Sequence, residues 1–493
     1  MSQTGLMTRK SVDECMQSGD AEGVQLSKSL GVVSITSMGI GAIIGAGIFV
    51  LTGTAAARYA GPAIMLSFVL GGIVCAFVGL CYSELAAMIP VCGSTYTYTY
   101  ATLGEIFAWI IGWDLILEYA MGAATVAVGW SGYINSLLHN FGIDIPPQWA
   151  AAPGTAVKLA DGTDATAILN LPAALIVAAL TAMLIFGTKE SSRLNNIMVA
   201  VKLVVVIAFI ALGAFFVDPA HWHPLIPDNK GTFGEYGLSG ILRGSGVVFF
   251  AFIGFDAVST ASEEARNPQR DIPIGILASL AICTVLYVAV SAVLTGMQSY
   301  THYVDDAAAI ATAVEVIHKP WIEAVISAGA VAGMTSVLLV FQLGMPRIFM
   351  SMSRDGLLPP VFAKIHPKYR TPHVTTLVAG VMVGIPALFT DVGWAADLTN
   401  IGTFLAFVLV CGGVLALRRT QPDRPRPFRC PASPWFPLAG IFVCSALMIA
   451  LPVLTWIRFF VWLVIGLAIY FLYGRTHSAL AQAPVAAVTE DAA

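Results

Sequence analysis

Charged residues are scarce in this chain. Of its 493 residues only 11% are Asp, Glu, Lys or Arg, whereas 57% are hydrophobic and the mean hydropathy is +0.80. Soluble globular proteins carry roughly 25% charged residues, so this chain has too few to cover a surface that faces water. The composition therefore excludes an ordinary soluble domain, and it offers no basic surface for nucleic acid.

The chain also lacks the motifs of several functional classes. It contains no Walker loop, no HExxH or GxSxG motif and no TVGYG-like filter, which argues against an ATP-driven pump, a hydrolytic enzyme and a potassium channel. Its eight cysteines form no CxxC pair and lie mostly within apolar runs, so we predict neither a disulfide nor a metal site. We expect a protein that is not an enzyme and that has no cofactor.

The sequence does contain many long apolar runs. Runs of the required length, about 17 to 25 residues, cross a lipid bilayer as helices, because a backbone in lipid must satisfy its own hydrogen bonds. The runs predict an all-α polytopic membrane protein with about twelve spans: 33–55, 62–89, 98–129, 168–187, 194–217, 238–262, 272–296, 321–350, 373–391, 394–417, 435–454 and 457–474. The pair 373–391 and 394–417 is separated by a very short turn.

The basic residues predict the orientation of these spans. Of the 25 lysines and arginines, eighteen fall on one side, six on the other, and Lys202 lies inside a span. Because cytoplasmic loops carry the excess of basic residues, we expect both termini in the cytoplasm, with short tails at 1–30 and 475–493. The first thirty residues are polar, so we predict no cleavable signal peptide and a multi-pass protein of the cell membrane.

Two glycine-rich stretches suggest an internal repeat. GIGAIIGAGIF covers 39–49 in the first span, and GSGVVFFAFIGFDA covers 244–257 in the sixth. Each stretch opens a block of five spans, 31–217 and 238–417, with two further helices at 435–474. Since five is odd, the second block enters the membrane from the opposite side, as in inverted repeats with discontinuous first helices. Glycines in membrane helices also serve close packing, and glycine content alone favours that alternative.

Interrupted helices at these two places would suit an amino acid. The backbone N–H groups freed near Gly45–Gly47 attract a carboxylate, and the carbonyls freed near Phe250–Gly254 attract an ammonium group. Backbone recognition of this kind accepts any α-amino acid and leaves selectivity to the surrounding side chains. Phe250, Phe252 and Phe255 are candidates for apolar walls, although a phenylalanine stripe also fits plain packing.

Ionisable side chains within the spans indicate a coupling mechanism. Lys202 lies well inside the fifth span, Asp114 and Glu118 share a face of the third, and Asp256 lies at the break in the sixth. Each such group is costly in lipid unless it is paired or neutral. A lysine that alternates between charged and neutral forms couples proton movement to substrate movement, whereas a structural ion pair with Glu118 or Asp256 is the alternative.

Four stretches give a resemblance to a known family. They are SLGVVSITSMGIGAIIGAGIFVLTG (29–53), YSELAAMIPVCGSTYTYTY (82–100), FFAFIGFDAVSTASEEARNPQRDIPIGI (249–276) and GMPRIFMSMSRDGLLPPVFAKIHPKYRTP (344–372). With these stretches and its order of spans, the chain resembles the amino acid–polyamine–organocation superfamily, and within it the bacterial members of the cationic amino acid transporter family. The resemblance implies the leucine-transporter-like fold, an inverted five-plus-five bundle with two extra helices.

The resemblance also implies a set of site residues. The substrate carboxylate is expected on the backbone of Ile43, Gly45, Ala46 and Gly47, and the ammonium group on the carbonyls of Phe250, Ala251 and Ile253. Lys202 matches a lysine that stands where sodium binds in sodium-coupled relatives, which implies coupling to protons rather than sodium. Glu118 and Asp256 match acidic positions around the same pocket.

Phe341 departs from the family pattern for cationic substrates. Members that carry lysine and arginine have a small residue about four positions before the MPR motif, where this chain has Phe341, or Gln342 if the alignment slips by one residue. We therefore expect proton-coupled uptake of small or medium neutral L-amino acids. The alternatives are an exchanger of amino acids or polyamines, including cationic ones, and a membrane nutrient sensor without transport. The oligomeric state stays open.

Overall fold

A computed structural model describes residues 8–11, 30–90, 94–159, 163–186, 189–304 and 306–482. Within these residues, eight helical stretches are long and apolar enough to cross a membrane, and four shorter apolar helices accompany them. The expectation of a helical, polytopic membrane protein is confirmed at this level. Most of the two predicted tails, at 1–7, 12–29 and 483–493, lies outside the described residues, as do Cys15 and Cys92.

The principal helices are numbered here in chain order. They are α1 (Val32–Ile43), α2 (Ile64–Met88), α3 (Ser94–Thr102), α4 (Glu105–His139), α5 (Leu171–Phe186), α6 (Lys189–Gly213), α7 (Gly237–Val248), α8 (Pro268–Met297), α9 (Ala309–Val314), α10 (Pro320–Arg354), α11 (His373–Phe389), α12 (Val392–Thr420), α13 (Trp435–Ile449) and α14 (Val453–Ile469). Two short strands, β1 (Ala156–Lys158) and β2 (Asp164–Thr166), pair antiparallel, with Ala156 opposite Thr166.

The first predicted span is interrupted. Helix α1 ends at Ile43, Ile44 is extended with φ −74° and ψ 106°, and helical geometry resumes at Gly47–Leu51 and continues through Thr52–Ala55 and Ala56–Ala60. The turns at Gly47–Leu51 and Ala56–Ala60 are π-helical, a wider geometry that is frequent at functional sites. The first span is therefore two half-helices joined by an extended residue.

The sixth predicted span is interrupted as well. Helix α7 ends at Val248 and tightens into a 3₁₀ turn over Phe249–Phe252. Gly254 then takes φ +110°, a conformation that residues with a side chain rarely adopt, before a second 3₁₀ segment at Asp256–Glu264. A glycine at this position thus lets the backbone leave the helix.

Two other helix boundaries can be compared with the sequence prediction: one was missed and one was found. The single span predicted at 98–129 is two helices, α3 and α4, because Gly104 between them takes φ +103°. The short turn predicted after 391 is real, and Asp391 explains it: its carboxylate caps α12 by accepting from the backbone N–H of Trp394 at 2.9 Å. An N-cap allows α12 to begin with only two residues, 390 and 391, between it and the end of α11.

Helix α4 lies at the centre and defines two ends of the molecule. The backbone N–H of Glu105, its first residue, donates to the carbonyl of Thr8 at 3.0 Å, so this end carries the chain termini and is called the tail end. The loop that follows His139 leads to the β1–β2 pair at the opposite end, called the hairpin end. Helix α4 packs along α10 and α12. In the most apolar 18-residue windows of 197–216 and 453–477 only 28% and 22% of the residues are buried, so these helices present apolar faces outward, as membrane-facing helices do.

Candidate functional site

The two interruptions touch each other through their backbones. A Cβ atom added to Gly47 would collide with the Cα of Ala251, and one added to Gly254 would lie 2.8 Å from the carbonyl oxygen of Ala42. Each break therefore contributes a glycine at the point where the other break approaches. The glycine-rich stretches serve both close packing and interruption, so the two alternatives weighed for them apply together.

The contact places backbone groups of both kinds side by side. The first N–H groups of a helix have no partner within it, and those of the half-helix that starts at Gly47 follow the extended Ile44 directly. On the other break, the carbonyl of Phe250 accepts from the N–H of Ile253 at 3.2 Å, which closes the 3₁₀ turn around Ala251. The start of the second half-helix at Gly47 thus lies against the backbone of Ala251 in this turn.

Tyr287 joins the two breaks and was missed by the sequence prediction. Its hydroxyl lies 3.0 Å from the carbonyl oxygen of Ile43 and 2.7 Å from that of Ala251, within hydrogen-bonding distance of both. It lies in α8 and is fully buried. The available signal was a tyrosine in the middle of an apolar run, because a buried hydroxyl in such a run needs a partner.

Lys202 lies beside the first break. Its Nζ donates to the carbonyl of Gly41, to the carbonyl of Ile44 at 2.9 Å and to Ser336 Oγ at 3.0 Å, and the side chain is fully buried. In the described part of the chain its partners are carbonyls and a hydroxyl, and neither Glu118 nor Asp256 pairs with it. The lysine is therefore attached to the end of α1, where that helix loses its regular hydrogen bonds.

The acidic residues gather on the other side of the site. Glu118 lies close to Thr403 and within electrostatic reach of Asp256 and Asp114. Asp114, one turn nearer the tail end, is fully buried against Gly402, and neither of its carboxylate oxygens has a hydrogen-bond partner among the described residues. Glu118 and Asp256 thus lie near each other, and neither forms an ion pair with Lys202 among the described residues.

The three candidate phenylalanines pack against different neighbours. Phe252 packs against Phe68 and Tyr287, with ring centroids 6.4 Å and 5.4 Å away. Phe255 packs against Tyr82 and Phe407 at 5.4 Å and 5.1 Å. Phe250 is buried within the same turn. For Phe252 and Phe255 these contacts match the packing alternative that the sequence left open.

Phe341 lies on a face of α10 that runs past the first break. Gly333 approaches the side chain of Lys202, Val337 lies 3.1 Å from a Cβ placed on Gly45, and the ring of Phe341 lies 3.3 Å from one placed on Gly122. These three positions of α10 are four residues apart and share one face. Gln342 points elsewhere, because its Oε1 accepts from Thr181 of α5 at 3.4 Å. Of the two residues considered, Phe341 is thus the one on the side of the breaks.

Comparison with known proteins decides the family. The model of the amino acid permease family matches residues 30–479. The chain belongs to this family. A branched-chain amino acid permease, BcaP, of Bacillus subtilis is 47% identical over 474 residues, covering 96% of this chain and 98% of the relative.

Other relatives in the family are named for different substrates. A methylthioribose transporter of Bacillus subtilis is 42% identical and covers 94% of this chain and 97% of the relative. A vacuolar cationic amino acid transporter 4 of Arabidopsis thaliana is 35% identical and covers 85% and 68%. These relatives are transporters, and no catalytic family is indicated.

Proposed function

We propose that this chain takes up small or medium neutral L-amino acids across the cell membrane by alternating access, coupled to protons. The observation that carries the proposal is the contact between the two interrupted helices. We infer that the substrate carboxylate binds to the backbone of Ile43, Gly45, Ala46 and Gly47, where the second half-helix begins, and that the ammonium group binds to carbonyls of Phe250, Ala251 and Ile253. Such a site holds the two charged groups that all α-amino acids share.

The architecture that goes with this proposal is an inverted repeat of twelve spans. The blocks 31–217 and 238–417 would each contribute five helices, with 435–474 added. Counterpart helices pack together: α2 with α8, α4 with α10, and α5 with α11. A two-fold axis in the membrane plane, as inverted repeats have, would place counterparts next to each other, which is why this packing supports the proposal.

The orientation we propose has both termini in the cytoplasm. The excess of basic residues on one side supports it. The first and last described segments of the chain also meet at one end of the bundle, since the Thr8 carbonyl accepts from the backbone N–H of Glu105 and Ser478 Oγ donates to the Glu105 carboxylate. On this basis the tail end faces the cytoplasm and the hairpin end faces outward.

Phe341 supports a limit on the length of the substrate side chain. A ring on the face of α10 that passes the breaks shortens the space available beyond the backbone contacts, which favours residues such as alanine, valine or leucine over arginine. The similarity to a branched-chain amino acid permease supports the same choice. Because relatives include cationic amino acid transporters, an exchanger that accepts cationic substrates is the second candidate.

Lys202 is the group that we assign to coupling. Its ammonium holds the Gly41 and Ile44 carbonyls at the end of α1, so loss of its proton would release one side of the first break. Glu118 and Asp256 would accept protons on the opposite side of the site. We therefore propose the proton as coupling ion, because the Lys202 ammonium already supplies a positive charge where a sodium ion would otherwise lie.

Uptake into proteoliposomes tests the function. Labelled leucine, alanine and arginine are compared with and without an inward proton gradient, and with and without internal amino acid. We expect leucine and alanine uptake that is stimulated by the gradient and independent of internal substrate. Uptake that requires internal amino acid would establish exchange, and binding of leucine without any flux would favour a sensor.

Two variants separate coupling from selectivity. Lys202→Ala should retain leucine binding and lose stimulation by the proton gradient, and an unchanged response to the gradient would make the lysine structural. Phe341→Gly should raise arginine uptake relative to leucine, by about tenfold if the ring excludes the longer chain through a few methylene-sized contacts. Gln342→Gly is the matched control, because this neighbour faces α5 instead.

A further inference from the structure

Five buried cysteines gather near the tail end, although they come from distant parts of the chain. They are free thiols, two from α2, one from α12, one from the loop 421–434 and one from α13: Cys75, Cys81, Cys411, Cys430 and Cys444. The Cys81 thiol is in hydrogen-bonding contact with Cys411 and Cys430, and Cys444 lies within electrostatic reach of Cys81. A single buried cysteine is a small apolar filler, whereas thiols in contact can also react with each other.

Cys430 is held against α2 through its backbone. Its N–H donates to Glu84 Oε2 at 2.7 Å, and its carbonyl accepts from Arg418 Nη2 at 2.9 Å. Glu84 lies three residues after Cys81, so these two residues share one face of α2. The Glu84 carboxylate therefore holds the loop 421–434 in the position where the Cys430 thiol meets the Cys81 thiol.

Of the two thiols that touch Cys81, Cys430 is the better partner for a covalent bond. A disulfide requires a specific separation and direction of the two Cα–Cβ bonds, so one of the two backbones usually has to adjust. Cys411 belongs to α12, which packs along α2, and its Sγ is enclosed by α13, since a Cβ placed on Gly440 would lie 2.9 Å from it. Cys430 lies in a loop, where the backbone can adjust without breaking a helix.

The position of the loop controls whether Cys430 can react. Its side chain is buried, but its neighbours Arg429 and Pro431 are exposed, so a small displacement of the loop brings the thiol to solvent. Contact with Cys81, burial and the Glu84 charge raise the pKa of the Cys430 thiol, and Arg418 acts in the opposite direction. Because the thiolate is the reactive form, Cys430 is protected while the loop is bound to Glu84 and becomes reactive when the loop lifts.

We propose that Cys81 and Cys430 form an oxidation-sensitive dithiol, which a peroxide converts into a disulfide between α2 and the loop 421–434. The Cys430 thiolate attacks the peroxide O–O bond; an S–O bond forms, and the departing hydroxide takes up the thiol proton and leaves as water. The Cys81 thiolate then attacks the Cys430 sulfur, so that the S–S bond forms, the S–O bond breaks and a second water leaves. The two thiols lose two electrons and two protons, and one peroxide accepts them to give two waters.

The location of the pair fits a reversible modification. In the proposed orientation the tail end faces the cytoplasm, where disulfides are usually transient and redox-sensing because cellular thiols reduce them. The bond would fix the loop 421–434 to α2 for as long as the oxidant is present. It forms whether or not the chain carries amino acids, so the inference does not depend on the proposed function.

Peptide mapping without reduction tests the site directly. The full-length protein in detergent is treated with hydrogen peroxide, its remaining thiols are alkylated in denaturant, and the digest is analysed by mass spectrometry. We expect a linked pair of peptides that contain Cys81 and Cys430, which dithiothreitol separates. Hydrogen exchange of the segment 421–434 should become slower after oxidation, because the loop is then joined to a helix, and dithiothreitol should restore the original rate.

Three variants assign the roles. Cys81→Ser should abolish the linked pair and leave Cys430 as a sulfenic acid, which dimedone traps. Cys444→Ser removes another buried thiol near Cys81 and is the matched control, so the linked pair should form as in the unaltered chain. Glu84→Gln loses the charge that holds the Cys430 N–H, and the linked pair should form about tenfold faster because a charge-assisted hydrogen bond is weakened.

Three results would overturn the inference. Peroxide treatment that leaves Cys81 and Cys430 unlinked would exclude the dithiol, and a link from Cys81 to Cys411 in its place would mean that the loop is not the reacting partner. A linked pair that forms equally fast in Glu84→Gln and in the unaltered chain would contradict control by the loop. If Glu84→Gln does not fold, Arg418→Lys keeps the positive charge but loses the bond to the Cys430 carbonyl, and faster formation is again expected.

Discussion

At the tail end, three acidic side chains each gather several partners from distant parts of the chain, whereas at the hairpin end the Arg243–Asp397 pair lies beside an open cavity. Glu84 is the most heavily bonded of the three. It accepts from Arg418 Nε at 3.0 Å, from Arg418 Nη2 at 2.5 Å and from the backbone N–H of Cys430 at 2.7 Å, and Arg426 Nε lies 3.3 Å away. It thereby attaches the loop after α12 to the end of α2.

The other two acidic residues contact the first and last described segments of the chain. Glu105 accepts from the hydroxyls of Tyr100 at 3.0 Å, Tyr470 at 2.8 Å and Ser478. Asp355 accepts from Tyr96 at 2.7 Å and lies 3.3 Å from Lys10 Nζ. Both residues lie at the tail ends of central helices, α4 and α10. The comparison teaches that, among the described residues, bonded side chains join the helices at the tail end, whereas a cavity opens between the helices at the hairpin end.

Removing the Glu84 carboxylate should lower the free energy of unfolding more than any other change at the tail end. Glu84→Ala leaves two guanidinium groups without their buried partner, and loss of one member of such a pair costs about 3–5 kcal/mol of unfolding free energy. We expect a large drop in the melting temperature of the purified protein in detergent. Asp423→Ala, an exposed acidic residue of the same loop, is the control, and an equal drop in both variants would contradict the assignment.

Glu105→Ala should have the next largest effect. Three buried hydroxyls lose their acceptor, and the loss should be about 2–3 kcal/mol because each unpaired buried group carries a penalty. The tail end should also open more often, which faster thiol labelling of a Tyr96→Cys reporter from the cytoplasmic side would reveal. Glu105→Gln retains an acceptor oxygen and should lose less; a loss as large as that of alanine would argue against the hydroxyl contacts.

Ser478→Ala removes one of these three donors and should cost about 1 kcal/mol, the contribution of a single hydrogen bond. Hydrogen exchange of the segment 475–482 measures the effect locally, and its protection should fall. Thr476→Ala changes an exposed hydroxyl two residues away and should leave that protection unchanged. If both variants behave alike, the carboxylate of Glu105 does not hold the C-terminal segment.

An apolar replacement of the hairpin-end pair should have the smallest effect on stability. Arg243→Met with Asp397→Leu exchanges a buried ion pair for apolar side chains, and such exchanges are often close to neutral in unfolding free energy. The single change Arg243→Met should be worse, because it leaves Asp397 unpaired. A double variant that melts as low as Glu84→Ala would mean that both ends are equally dependent on ion pairs.

The sequence prediction found the features that depend on a single residue and its neighbours in the chain. A glycine such as Gly47 or Gly254 changes the backbone where it stands, so the two breaks were predictable, and Lys202 was conspicuous within its apolar run. The break at Gly104 was predictable in principle, since a glycine before Glu105 permits the left-handed conformation, but it was hidden by the flanking apolar residues.

The remaining features depend on pairs that are far apart in the chain. Arg243 and Asp397 are 154 residues apart, and Ser478 and Glu105 are 373 apart, so no local pattern connects them. Tyr287 could be recognised as a buried hydroxyl, yet its acceptors are carbonyls that become available only because two helices break at the same depth. Such partners are decided by packing, which the sequence specifies only through the whole fold.

The meeting of Gly47 with Ala251 has a mechanical consequence. No side chain longer than a methyl group stands between these two backbones, so the surfaces do not interlock as leucine-lined helices do. Sliding of one half-helix along the other at this point would meet no interlocked side chains, and the Tyr287 hydroxyl, which is within hydrogen-bonding distance of a carbonyl on each break, would have to follow it. The two backbones can therefore lie in close contact and still move past each other. A methyl group added at position 47 would push them apart.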